Sequence, residues 1–347
     1  MLEQFINPNS SIWLLSLVGL AAIALLVYSA NVAVTRLMGL AGYFRLSTTF
    51  MGVTVVSLAT SIPEITLHFT ASVGILTGAV DFKIGSSLVL GANIGSDVVQ
   101  QTLIMAIVVF IAGTLHFRRY FLAKTMIPMV VTTLMCLVLG WDGIYSRLDG
   151  FILFGGFIAY LYYLYRDERK YYKPEDHGFT AEGEVPEGTP QSGKEAWLYA
   201  LISVVALTVT VASAMLTLSV TEVIVGRTGI GGSLIGVLTL GVASALPELI
   251  TAVSGIRNGD AGIPLGTLVG SNITNPLVAI GGGALISTYW VPRPLVLWDL
   301  PWEALTGTIL WIYLWLNKGR IGKKGGIYLV VLYFVYVILR SIFFAVD

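Results

Sequence analysis

The chain alternates long apolar stretches with short polar breaks. Ten stretches have the length of membrane-crossing helices, at about residues 12–37, 46–76, 84–113, 120–140, 148–165, 197–225, 231–257, 262–288, 296–317 and 326–345. A hydrocarbon core about 30 Å thick needs about 20 apolar residues per helix. The pattern therefore predicts an all-α polytopic membrane protein with ten transmembrane helices. One polar stretch, residues 166–195, breaks the series; it is rich in Pro, Gly, Glu and Lys and carries no apolar period. It reads as a linker loop. It divides the chain into residues 1–165, with five segments, and residues 196–347, with five more. The stretch 12–37 has no small-residue cleavage pattern and reads as a spanning helix, not a signal peptide.

Composition agrees with this reading. Of 347 residues, 56% are hydrophobic and only 12% charged, against about 25% charged in a soluble domain. The formal net charge is zero, which gives no basis for a nucleic-acid partner. The single cysteine, Cys136, excludes an internal disulfide, and His68, His116 and His177 are too scattered for a zinc site. No nucleophile–base pair and no nucleotide-binding loop is present, so neither an enzyme nor an ATP-driven pump is expected, and no cofactor.

The loop charges give an orientation. With segment 1 crossing from side A to side B, the B-side loops hold fifteen Lys and Arg residues and the A side four: Lys83, Arg147, Arg227 and Arg293. Arg340 lies inside the last segment. The positive-inside rule makes B cytoplasmic. The expectation is an integral plasma (inner) membrane protein with both termini outside and the 166–195 loop cytoplasmic. Trp141, Trp197, Trp290, Trp298 and Trp302 lie near segment ends, as interfacial anchors do. Five crossings per half is an odd number. Two homologous halves then enter the bilayer in opposite senses, as inverted repeats, an arrangement of secondary transporters with the site near the midplane.

Homology between the halves is visible in two short motifs. Ala59-Thr60-Ser61-Ile62-Pro63-Glu64 is matched by Ala243-Ser244-Ala245-Leu246-Pro247-Glu248. Each places a glutamate inside an apolar segment, at a cost of about 2.5–3.5 kcal/mol on insertion scales. Pro63 and Pro247 are expected to kink their helices and free the carbonyls of Ala59 and Ala243. Carbonyl, hydroxyl and carboxylate oxygens then gather within about two turns, a hard donor set suited to Ca2+ or Na+ and unsuited to zinc or copper. Downstream, Gly91-Ala92-Asn93-Ile94-Gly95-Ser96-Asp97-Val98-Val99-Gln100 is matched by Gly266-Thr267-Leu268-Val269-Gly270-Ser271-Asn272-Ile273-Thr274-Asn275. The glycines permit close helix packing. Ser96 and Gln100, like Ser271 and Asn275, lie four apart on one helix face.

In these two repeats, at about 50–105 and 234–280, the chain resembles the calcium/cation antiporters, the superfamily of sodium/calcium and calcium/proton exchangers. The resemblance implies an ion site formed by helices 2, 3, 7 and 8, with Glu64 and Glu248 as central ligands shared by competing ions. It also implies hydroxyl or carbonyl oxygens from Thr60, Ser61 and Ser244, with Ser96 and Ser271 lining flanking positions. Gln100 and Asn275 would stand at the middle of the site, and the carbonyls of Ser57 and Gly241 would be further ligands. The metal ligands proper would be Glu64, Glu248, Thr60 and Ser244. It further implies alternating access, with helices 1 and 6 sliding on the ion-binding core. Both are rich in small residues: Gly19, Ala21, Ala22, Ala24 and Ala30, then Ala206, Ala212 and Ala214.

Several positions depart from the family pattern. Ala245 stands where sodium/calcium exchangers usually carry serine, Gln100 replaces a usual asparagine, and Asn275 stands where some members have aspartate. Glu64 and Ser96 are also 32 residues apart, against 23 for Glu248 and Ser271; an ungapped register would align Ser87 instead. Asp97 is either a third acid at the site or faces a neighbouring helix. Two carboxylates offset one Ca2+, and could equally hold sodium ions or two protons as a coupled pair. The Thr-Ser-Ile-Pro-Glu wording is closer to sodium/calcium exchangers, with proton coupling the alternative. A cation channel is the rival class; it usually forms a continuous pore from rings of subunits. The partners expected are the lipid bilayer and inorganic cations.

Overall fold

A computed structural model describes residues 10–43, 57–117, 119, 122–171, 189–257 and 262–347. Among these residues, helical runs overlap each of the ten apolar segments. They are α1 (Ile12–Tyr43), α2 (57–77), α3 (Phe82–Ala112), α4 (Leu122–Asp142), α5 (Arg147–Tyr171), α6 (Gly193–Thr228), α7 (232–257), α8 (262–286), α9 (295–316) and α10 (Lys323–Phe343). Six stretches are long and apolar enough to cross a membrane: Ile12–Ala33, Phe82–Ala112, Leu122–Asp142, Gly193–Thr228, Gly232–Val253 and Lys323–Phe343.

Local sequence sets several of these limits. Asp81 caps α3 by accepting from the amides of Lys83 and Ile84, each at 2.9 Å. Ser192 accepts from the Glu195 amide at 3.3 Å, and Glu195 reaches back to the Gln191 amide at 2.6 Å, a reciprocal cap that starts α6. Gly229 (φ 68°) ends α6 in the left-handed region that glycine tolerates.

The expected loop 166–195 is corrected at both ends. α5 runs on to Tyr171 and α6 begins at Gly193. Arg, Glu and Lys are good helix formers and carry a helix past its apolar stretch. The middle of that loop lies outside the described residues.

The bundle exposes large apolar side chains and buries polar ones alongside its apolar core. Trp13 (85%), Leu316 (74%) and Val138 (70%) are strongly exposed, whereas Ser96, Gln100, Asn272 and Glu248 are fully buried. Trp141 and Trp197 are exposed, but Trp298 and Trp302 are half-buried. Their rings lie 5.0 Å apart, tilted by 31°, with Phe344 stacked on Trp298 and Tyr336 beside Trp302, because their helix turns them toward α10.

α1 lies along α6, joined by Ser29 Oγ and Thr210 Oγ1 at 2.9 Å. Ala22, Ala30, Ala206 and Ala214 are buried, whereas Ala21, Ala24 and Ala212 face outward. α3 meets the first part of α7 backbone to backbone. A Cβ on Gly95 would lie 2.6 Å from Val237 Cα, and one on Gly241 would lie 2.8 Å from the Ser96 amide nitrogen. Two short antiparallel ribbons complete the frame. Thr114–His116, after α3, pairs with Arg320–Gly322, after α9; Ile144–Tyr145, after α4, pairs with Tyr289–Trp290, after α8.

Candidate ion-binding site

α2 and α7 break at matched positions. Ser61 (φ −82°, ψ 3°) separates Ser57–Thr60 from Ile62–Thr77, and Ala245 (φ −78°, ψ −3°) separates Gly241–Ser244 from Leu246–Arg257. This places Pro63 and Pro247 in the first turns of the new helices, a correction to the expected mid-helix kink. Proline is tolerated there because the first amides have no helical partner. The breaks therefore fall at Ser61 and Ala245, whose carbonyls accept from Ile65 and Leu249 at 3.0 and 3.1 Å. Glu64 and Glu248 sit in these first turns too, where the positive end of the helix dipole favours a carboxylate.

Both glutamates are buried, and each is held from the facing helix by the matched serine. Ser96 on α3 donates to Glu64 Oε1 at 3.0 Å; Ser271 on α8 donates to Glu248 Oε1 at 3.3 Å. Ser87, the serine of the ungapped register, bonds the Ile84 carbonyl instead. Contacts also cross between the halves: Ser244 stands beside Glu64, and Thr60 beside Glu248. The second oxygen of each carboxylate has no protein partner, nor have the buried Ser61 Oγ, Ser244 Oγ and Asn275 Oδ1. Glu64, Ser244, His68 and Asn93 line a cavity of about 10 Å3, about the volume that admits one water-sized sphere. Buried polar atoms without partners are rare in proteins. Glu64 and Ser244 bring unpartnered oxygens to this cavity, and His68 and Asn93 bring further unpartnered polar atoms.

The remaining expected residues fall differently. Ser57 and Gly241 lie in the short α-helical stretches Ser57–Thr60 and Gly241–Ser244 before the breaks. Gln100 does not present a free oxygen. Its Nε2 donates to Ser96 Oγ at 3.1 Å and its Oε1 accepts from Asn272 at 3.0 Å, because a π-helical turn begins at Gln100 and turns the side chain toward α8. Asn275, at the start of the matching π-helical turn in α8, donates to Asp97 Oδ1 at 3.1 Å. Asp97 thus faces the same buried interior, within electrostatic reach of Glu64, Glu248 and Glu303. Asn272, Gln101, Asn93, His68 and Glu303 are absent from the sequence-based site. Glu303 was visible as a charge within an apolar segment. The amides carried no signal, since their meeting depends on how α3, α8 and α9 pack.

The sequence model of the sodium/calcium exchanger protein family matches residues 14–166 and 197–342. The chain belongs to this family. It is an integral membrane protein with apolar spanning helices. This exchanger-family chain is 27% identical over 270 residues to a putative antiporter, CaxA, of Alkalimonas amylolytica, covering 77% of this chain and 79% of that protein. Its fold resembles the crystal structure of the H+/Ca2+ exchanger CAX, with a TM-score of 0.69 at 17% identity, over 94% of this chain and 80% of the other. It also resembles the sodium-calcium exchanger NCX_Mj, with a TM-score of 0.57 at 22% identity, over 93% and 96% of the two chains.

Proposed function

We propose that the protein is a secondary antiporter that exchanges Ca2+ for Na+ across the plasma membrane by alternating access. One observation carries the reading: two buried glutamates, one from each half, each have one oxygen held by a serine and the other without a hydrogen-bond partner, with a small cavity beside Glu64. The carboxylates and hydroxyls of the proposed ligands offer only oxygen, which suits a hard cation. Glu64 and Glu248 are the central ligands, with Thr60, Ser61, Ser244, Ser96 and Ser271 around them, and Ca2+ and Na+ compete for the same carboxylates. Ten crossings as two inverted five-helix repeats support the mechanism. In favour stand the matched breaks at Ser61 and Ala245, the paired π-helical turns at Gln100 and Asn275, and the two ribbons. An exchange of halves carries each ribbon onto the other. The 166–195 loop lies on the cytoplasmic side, and α1 with α6 moves as one unit against the core.

A second reading, Ca2+/H+ exchange, rests on this chain's own departures: position 245 offers no hydroxyl, and position 275 is a neutral amide bonded to Asp97. The test of the site is Glu64→Gln and Glu248→Gln in reconstituted vesicles. Both variants are expected to fold, by gel filtration and circular dichroism, and to lose exchange. Full activity in either removes that glutamate from the mechanism.

A further inference from the structure

Ser96 does not reach Glu64 alone; it ends a chain of buried side-chain hydrogen bonds that begins at Gln101 on α3. Gln101 Nε2 donates to Asn272 Oδ1 at 2.9 Å, while Thr306 Oγ1, 3.4 Å from Gln101 Oε1, has nearer acceptors in the Trp302 and Glu303 carbonyls at 2.9 and 3.0 Å. Asn272 Nδ2 donates to Gln100 Oε1 at 3.0 Å, and Gln100 Nε2 donates to Ser96 Oγ at 3.1 Å. Ser96 donates to Glu64 Oε1 at 3.0 Å. An amide side chain can be turned either way, so the direction of such a chain must be set somewhere. Asn272 sets it: its Nδ2 also donates to the Leu268 carbonyl at 2.6 Å. A backbone carbonyl only accepts, so the nitrogen must lie on that side. Its second hydrogen then meets Gln100, whose oxygen must face it and whose nitrogen must face Ser96. Ser96 receives that hydrogen bond and has one hydrogen of its own, which goes to Glu64.

We propose that Asn272, braced by Gln101, is a positioning residue: it commits Ser96 to donate to Glu64 and so holds that carboxylate aimed at the cation. This rests on the reading of Glu64 as an ion ligand. Among the described residues, the second half shows no matching chain to Ser271. Ser271 divides its hydrogen between Glu248 at 3.3 Å and the Thr267 carbonyl at 2.9 Å. The two glutamates are therefore held differently: the hydrogen of Ser96 is committed to Glu64, whereas that of Ser271 is shared between Glu248 and a backbone carbonyl.

The test is a double-mutant cycle on Ca2+ affinity, by calorimetry on the purified full-length protein in detergent. Asn272→Leu keeps the side-chain volume and removes every bond in the middle of the chain. A hydrogen bond to a charged group is worth enough for it to weaken Ca2+ binding about tenfold. Ser96→Ala weakens binding as well, and the double variant is expected to bind no worse than Ser96→Ala, because Asn272 acts only through Ser96. Multiplying effects, or an unchanged affinity in Asn272→Leu, would overturn the proposal. If Asn272→Leu does not fold, Gln101→Leu is put through the same cycle, with the same dependence on Ser96 expected. Glu64→Gln is the control: if it binds Ca2+ like the wild type, the ion site itself is wrong. If it loses binding while the cycle is additive, only the positioning role falls.

Discussion

Arg340 and Asp299 form a fully buried ion pair whose disruption is predicted to unfold a large part of the protein's stability. Arg340 Nε lies 2.8 and 3.0 Å from the two Asp299 oxygens, and its Nη2 donates to Ser233 Oγ at 2.5 Å. Tyr336 donates to Asp299 at 2.5 Å. These contacts tie α9 and α10 to the start of α7. Arg340→Met keeps most of the stem and removes the charge. It leaves a buried carboxylate with the tyrosine as its remaining partner, and breaking a buried pair from one side costs about 3–5 kcal/mol. Loss of the bond to Ser233 adds about 1 kcal/mol. Adding Asp299→Asn removes the orphaned charge and keeps an acceptor for Tyr336, so the double variant is expected to recover most of the loss. The assay is reversible unfolding in mixed micelles, followed by tryptophan fluorescence. An Arg340→Met protein as stable as the wild type, or a double variant as unstable as the single, would refute the argument.

Three further outcomes are expected. Gly95→Ala places a methyl 2.6 Å from Val237 Cα and 2.9 Å from its carbonyl oxygen, backbone atoms that cannot swing aside; overpacking costs about 1–3 kcal/mol, and the same unfolding assay with vesicle transport should register lower stability and lost exchange. Ala245→Ser adds a hydroxyl at the break of α7, the position matched in the first half by the unpartnered Ser61 Oγ; if sodium is the coupling ion, the sodium dependence of transport should steepen, and an unchanged curve removes that position. Ser29→Cys with Thr210→Cys, whose native hydroxyls lie 2.9 Å apart, should cross-link α1 to α6 and still transport. Activity lost on oxidation and regained on reduction would show that these helices move separately.

What could be read from the chain follows from the range of the interactions. The repeated Pro-Glu motifs placed both breaks within two residues, because proline and the following glutamate act on their own turn of helix. The serine partners were legible from the repeated Gly-Ser pairs, with Gly95 and Gly241 explaining why α3 and α7 come so close. The end of α5 was missed because its last turn is charged yet still helical. The amide chain through Asn272 and Gln101 lay out of reach: the two residues are 171 positions apart and meet only because α3 and α8 cross with π-helical turns. Glu303, a charge within an apolar segment, meets its partner Thr133 from 170 positions away.

Ca2+ uptake into vesicles of the purified protein tests the central claim most directly. An outward sodium gradient at equal pH should drive uptake in the wild type and fail to do so in Glu64→Gln, whereas uptake driven only by an outward proton gradient would move the coupling to protons. Uptake under neither gradient would contradict Ca2+ exchange itself.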